Sequence, residues 1–185
     1  EFLDFKICQN QENVEQQLQE KNFAYLPLDV ISPILSDLIN LRNVMGLRSP
    51  IHTLARLINP FNAKATMQAI FHPAYRSSHQ QAAFQLGYKN SAVIKGEGGE
   101  FERNPDAKTL ICGIQNGELY EHELPKLTDN RSPIEEELNL DVFKAVWEGK
   151  QSHEYGEIAV VETMEIALFT MGISSSYEDA MIKAK

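Results

Sequence analysis

The sequence predicts an α/β protein: a mixed, mostly parallel sheet flanked by helices and extended by an antiparallel hairpin. Three observations carry that expectation. Helix-like and strand-like stretches alternate as far as residue 95, the alternation that pairs strands in parallel. Two apolar runs flank Gln115-Asn116-Gly117, and Asn-Gly between such runs is a strong short-range hairpin signal. The segment 157–171 is apolar densely enough to be a buried helix.

Taken in order, residues 1–10 read as an irregular or strand-like lead-in. Residues 13–21 are polar and glutamine-rich, with Val14 and Leu18 four apart, which gives a surface helix with a narrow apolar stripe. Residues 22–27 read as a short buried strand stopped by Pro27. Ser32 is a natural helix cap with Pro33 at the first position, and Ile34, Leu35, Leu38, Ile39, Leu41 and Val44 recur at helical spacing up to Gly46. A further helix is expected over 48–57, closed by Asn59-Pro60, then a strand over 66–71 and a helix over 77–86 ended by Gly87. Residues 92–94 form the strand that opens into a charged loop. Residues 109–114 and 117–124 make the hairpin, 125–133 a loop, 133–138 the start of a helix and 141–147 a helix before Gly149. Ser176 caps a last helix whose first turn holds Glu178 and Asp179, where negative charge suits the dipole.

At 185 residues the chain fits one domain and can bury a real core. No apolar run approaches the roughly 20 residues of a membrane-spanning helix, and the start does not resemble a signal peptide, so a cytoplasmic protein without a membrane partner is expected. Cys8 and Cys112 match no metal spacing and make a poor disulfide framework; both are expected as buried thiols. The opening at Glu1, running at once into a strand-like stretch, reads as part of something longer.

The net charge of −9 hides an asymmetry. Residues 42–95 hold seven Lys or Arg and no Asp or Glu, with His52, His72 and His79 added. Residues 42–108 carry a net +5 (nine basic, four acidic), and the remainder a net −14 (eight basic, twenty-two acidic). Such asymmetry suits a face that meets phosphates while the rest of the surface keeps the protein dissolved. Basic residues scattered over several surfaces, cancelling locally, would give the same count.

Two stretches organise the chain. Residues 45–60, Met-Gly-Leu-Arg-Ser-Pro-Ile-His-Thr-Leu-Ala-Arg-Leu-Ile-Asn-Pro, place Arg48, His52 and Arg56 between a glycine and an Asn-Pro turn. Residues 95–106, Lys-Gly-Glu-Gly-Gly-Glu-Phe-Glu-Arg-Asn-Pro-Asp, form a glycine-rich charged loop at the carboxyl end of a strand, where open α/β sheets place ligands. For His52, packing or a local hydrogen bond is the favoured role, because no acid or thiol lies near it in sequence.

In this order the two stretches resemble the C-terminal α/β domain of the anthranilate phosphoribosyltransferases, in the glycosyltransferase family that includes the nucleoside phosphorylases. The resemblance covers residues 1–185 as one such domain, and implies a missing N-terminal helical domain through which the family dimerises. It implies that Arg48, His52 and Asn59 stand at the acceptor site. The family's Gly-Pro is replaced by Ala55-Arg56, a long cation in a place meant for an aromatic ring yet suited to phosphate or a stacked base. The family's second motif ends in an Asp-Glu pair that holds Mg²⁺, a hard ion that requires oxygen ligands. Here Phe101 stands for the Asp, leaving Glu102 alone, and no resident metal or cofactor is expected. The family's phosphate loop is also absent.

A branch of this family keeps the fold, lacks the metal pair and binds single-stranded nucleic acid through a basic groove, as a dimer. The chain is similar to that branch in its acid-free segment and in Arg56. The resemblance implies a non-catalytic domain binding single-stranded DNA or RNA through Arg48, Arg56, Lys95 and Arg103, with Phe71, Tyr75 and Phe101 as base-stacking candidates. The alternative is a Mg²⁺-dependent transfer of phosphoribose from phosphoribosyl pyrophosphate to an aromatic acceptor.

Overall fold

A computed structural model describes residues 6–47, 49–96, 98, 100–129 and 139–185. The chain divides into two compact units, Glu1–Pro60 and Phe61–Lys185.

In the first unit, helix α1 (Gln11–Lys21) starts where the Asn10 side chain accepts the Asn13 N–H at 2.9 Å, and it buries Val14. The buried strand expected over 22–27 is reduced to a single parallel bridge between Ile7 and Tyr25, with Cys8 N–H donating to the Tyr25 carbonyl at 2.9 Å. Phe23 and Tyr25 are exposed, so the apolar alternation there does not line a core. After the short turn α2 (Leu28–Ile31), Ser32 caps α3 (Pro33–Asn40) as its sequence predicts. The long helix expected up to Gly46 is stepped at Leu41, whose ψ of −21° tightens the backbone before α4 (Arg42–Met45). The helix expected over 48–57 is a single turn, α5 (Ile51–Leu54), passing into a 3₁₀ turn at Ala55–Leu57. Pro50 sits at its start because a proline has no N–H to donate within a helix.

The second unit is a four-stranded sheet in the order β1-β2-β3-β4. Strand β1 (Thr66–Ile70) pairs in parallel with β2 (Ser91–Lys95), and α6 (Arg76–Gln85) makes the crossover. Strand β3 (Thr109–Gln115) runs antiparallel to β2 and joins β4 (Glu118–Leu124) through the Asn116-Gly117 turn. Both turn residues have positive φ, 52° and 83°, which is why Asn and Gly stand there. Among the described strands the parallel part of the mixed sheet is therefore β1–β2, and the antiparallel part is the hairpin and its pairing to β2.

Helices cover both faces. Gln68, Val93 and Cys112 share a face by register; α6 lies over it, with His79 Nδ1 3.1 Å from Gln68 Oε1. On the other face α8 (Glu154–Thr170) and α9 (Tyr177–Ala184) pack against Ala92, Ile94, Ile111 and Leu124 through Ile166 and Tyr177. Strand β2 is buried from Ser91 to Ile94, as a strand covered on both faces must be. Helix α7 (Leu140–Trp147) precedes α8, and the helix expected over 133–138 lies outside the described residues.

Two details of the late helices differ from expectation. Helix α8 begins at Glu154, capped by His153 Nδ1, which accepts the Gly156 N–H at 2.9 Å. Its buried positions include Glu162 and Glu165, whereas Met164 and Met171 are exposed. The apolar content of the segment was thus a poor guide to its inner face, because an ion pair occupies part of that face. At α9, Ser176 Oγ accepts the Asp179 N–H at 3.1 Å, as expected. Ser176→Ala should lower stability by about 1 kcal/mol, measurable as a shift of the urea midpoint without a change in m-value.

Candidate anion-binding site

The carboxyl ends of the parallel pair define the site. After Ile70 the chain leaves β1 through Phe71 and His72 and turns at Pro73–Tyr75 into α6. The Phe71 and His72 rings meet edge to face with centroids 4.8 Å apart, and His72 and Tyr75 at 6.0 Å. Phe71 is 43% and Tyr75 49% exposed, so part of each ring meets solvent.

After Lys95, Gly96 N–H donates to the Ile70 carbonyl at 3.0 Å, continuing the ladder past the strand end. The loop then folds back so closely that a Cβ on Gly96 would stand 2.1 Å from the Glu100 carbonyl oxygen. Gly96→Ala should therefore displace the loop and lower stability by about 1–3 kcal/mol, read by thermal unfolding. Glu100 Oε2 accepts the Gly98 N–H at 2.6 Å. Phe101 packs against the core cluster under α8. The Phe101 ring, at the position where the resemblance implies a metal-binding Asp, is thus turned toward the core. It cannot ligate Mg²⁺ and is not a solvent-facing stacking platform, which corrects that expectation. Glu102 is exposed to solvent, and the Glu100 carboxylate is engaged by the Gly98 N–H.

Arg103 corrects a second expectation. It is 2% exposed, and its guanidinium pairs with Glu162 and, at 3.6 Å, with Glu165. Its Nη2 donates to the Pro125 carbonyl, and its backbone N–H donates to Thr163 Oγ1 at 2.9 Å. An arginine held this way anchors the loop to α8 and is not available to a phosphate. Its burial is the larger influence on its pKa and pulls it down; Glu165 opposes that. Next to it, Tyr155 donates a hydrogen bond to Asn104 and stands 3.2 Å from Asp106 Oδ1.

The anchored loop closes one side of a cleft of about 130 Å³ lined by Arg76, Lys95, Asn104, Ala107, Lys108, Thr109 and Leu110. Arg76 is fixed by Nη1 donating to the Leu110 carbonyl at 3.0 Å. Lys108 pairs at 2.8 Å with Glu123, and both are exposed. Lys95 is exposed and forms no ion pair among the described residues. One small cavity thus brings together Lys95, the carbonyl-held Arg76, the Glu123-paired Lys108 and the Asn104 amide.

Of the other residues singled out in the sequence, Arg48 lies outside the described residues. His52, Arg56 and Asn59 are half-buried in the first unit. His52 Nδ1 accepts the Ser49 N–H at 3.3 Å, a local bond of the kind expected for it. Arg76, Asn104 and Lys108 were not foreseen. Arg76 does lie in the acid-free segment, and Lys108 stands just before β3, whose antiparallel return brings its start beside the end of β2.

The model of the glycosyl transferase family a/b domain matches residues 1–185. The chain belongs to this family. Anthranilate phosphoribosyltransferase of Metallosphaera sedula is 23% identical over 185 residues, covering 97% of this chain and 54% of that protein. The crystal structure of anthranilate phosphoribosyltransferase from Thermus thermophilus superposes with a TM-score of 0.74 at 19% identity, over 99% of this chain and 56% of that one. A variant of anthranilate phosphoribosyltransferase from Saccharomyces cerevisiae with Mg bound gives a TM-score of 0.70 at 14% identity, over 95% of this chain and 53% of that one. The chain thus spans about half the length of the relatives it matches.

Proposed function

We propose that this glycosyl transferase family domain binds single-stranded nucleic acid and does not transfer phosphoribose. The observation that carries the reading is the cleft of Arg76, Lys95 and Lys108 at the carboxyl ends of β1 and β2, beside the partly exposed rings of Phe71 and Tyr75. Cations at a strand edge neutralise phosphates and release counterions, giving affinity that tolerates sequence and falls with salt. Exposed aromatic rings add stacking on the unpaired bases. No resident cofactor is part of this reading; the protein acts in the cytoplasm as a homodimer.

Fluorescence anisotropy of a labelled single-stranded oligonucleotide, titrated with the full protein at low and physiological salt, tests it. Submicromolar binding that weakens steeply with salt is expected, and a weaker complex for Lys95→Ala. No binding at either salt would overturn the reading. The second reading, phosphoribosyl transfer to an aromatic acceptor, is favoured by the names of the relatives, one of them a structure with Mg bound. It requires Mg²⁺-dependent release of pyrophosphate from phosphoribosyl pyrophosphate. Phe101 in the core stands against it.

A further inference from the structure

The loop that closes the cleft is tied to α8 by a buried cluster in which acids outnumber bases. Arg103 faces Glu162 and Glu165, three residues apart on α8, and the side chains are 1%, 5% and 6% exposed. Two ionised carboxylates against one guanidinium would leave a net negative charge in the interior, a costly arrangement when water is excluded. One bound proton restores neutrality. Glu165 is the natural carrier, because its carboxylate is the more distant from the guanidinium, at 3.6 Å.

The groups around Glu165 act on it in both directions. From α9 come Glu178, which adds negative field, and Tyr177; from β4 come Tyr120, whose hydroxyl lies 3.1 Å from that of Tyr177, and His122, stacked on the Tyr177 ring at 4.1 Å. Arg103 from the loop and Glu162 on α8 belong to the same cluster. Burial, the largest influence, pushes the Glu165 carboxyl up; Arg103 opposes it and Glu178 reinforces it.

We propose that Glu165 is a proton-carrying anchor for the cleft loop. With the proton on, the cluster is neutral and holds residues 103–106 against the cleft. Loss of the proton leaves an uncompensated buried carboxylate under the loop, which loosens it and weakens the grip on phosphate. The effect on stability stands by itself; the effect on phosphate rests on the nucleic-acid reading.

The sign follows from a carboxyl held above its unfolded value. Its stabilisation is complete below the unfolded pKa and is lost as pH rises through the folded one. Urea unfolding of the wild type and of Glu165→Gln between about pH 5 and pH 8 tests this. The wild-type midpoint should fall with pH more steeply than that of the variant, and the variant should be the more stable at the upper end. Equal slopes would overturn the anchor, and so would an unfolded variant, since glutamine reproduces the neutral shape of the protonated acid. Oligonucleotide anisotropy over the same range should show an affinity that declines with pH in the wild type and less in Glu165→Gln. Different unfolding slopes without any oligonucleotide binding would keep the anchor and reject the nucleic-acid reading. Equal unfolding slopes with binding present would do the reverse.

Discussion

Replacing Arg103 by alanine is expected to lower stability by about 3–5 kcal/mol, because it strands the Glu162 carboxylate, with the Glu165 carboxyl beside it, in a dry interior. The guanidinium also donates to the Pro125 carbonyl, so that acceptor loses its donor at the same time. Thermal unfolding should register about 2–4 °C for each kcal/mol in a chain of this size. The deficit should shrink toward acid pH, where the stranded carboxylate can take up a proton. A phosphate-binding arginine on the surface would behave differently: Arg103→Ala would then leave the melting temperature alone and weaken only oligonucleotide binding.

Gly113→Ala is the second substitution with a large expected effect. A Cβ at Gly113 would stand 2.2 Å from the Tyr120 ring, which lies across the strand in register with it. That ring cannot retreat easily. Its hydroxyl meets that of Tyr177 at 3.1 Å, and its face meets Phe169 edge to face at 5.5 Å. Overpacking of this kind costs about 1–3 kcal/mol. The measurement is urea unfolding of Gly113→Ala against the double variant Gly113→Ala/Tyr120→Leu, in which the smaller side chain should recover part of the loss. Additive effects in the double variant would show that the two residues do not compete for the same space.

Much of the fold is legible in the sequence because local rules and tertiary demands agree in it. Asn116-Gly117 supplies the two positive φ angles that a tight hairpin needs, and Ser32-Pro33 and Ser176 cap helices whose side-chain oxygens are seen accepting the expected N–H groups. The stretch 22–27 misleads because apolar alternation also suits an exposed segment that makes only one bridge. Glu162 and Glu165 mislead for the opposite reason. Acidic residues on a helix read as its solvent side, and only a cation from a loop sixty residues earlier makes them interior.

The site was legible in part. Lys95 at a strand end follows from the general placement of ligands in α/β sheets, and the structure puts it in the cleft. Arg103, adjacent to the same glycine-rich loop, looks equivalent in sequence. The chain turns it inward because Phe101 enters the core two residues before, and the anchored loop carries its guanidinium to α8. Arg76 and Lys108 become neighbours of Lys95 only when α6 starts beside β2 and β3 returns antiparallel to it. No spacing in the sequence announces that.

In the proposed function the cleft of Arg76, Lys95 and Lys108 is a seat for the phosphates of a single strand. Its most direct test is the salt dependence of single-stranded oligonucleotide binding by the wild type and by Arg76→Ala/Lys95→Ala. Each lost phosphate contact should reduce the slope of log K against log salt by roughly 0.7, so the double variant should bind more weakly and with a slope smaller by about 1.4. A variant that binds with the wild-type slope and affinity would show that nucleic acid does not lie on this cleft.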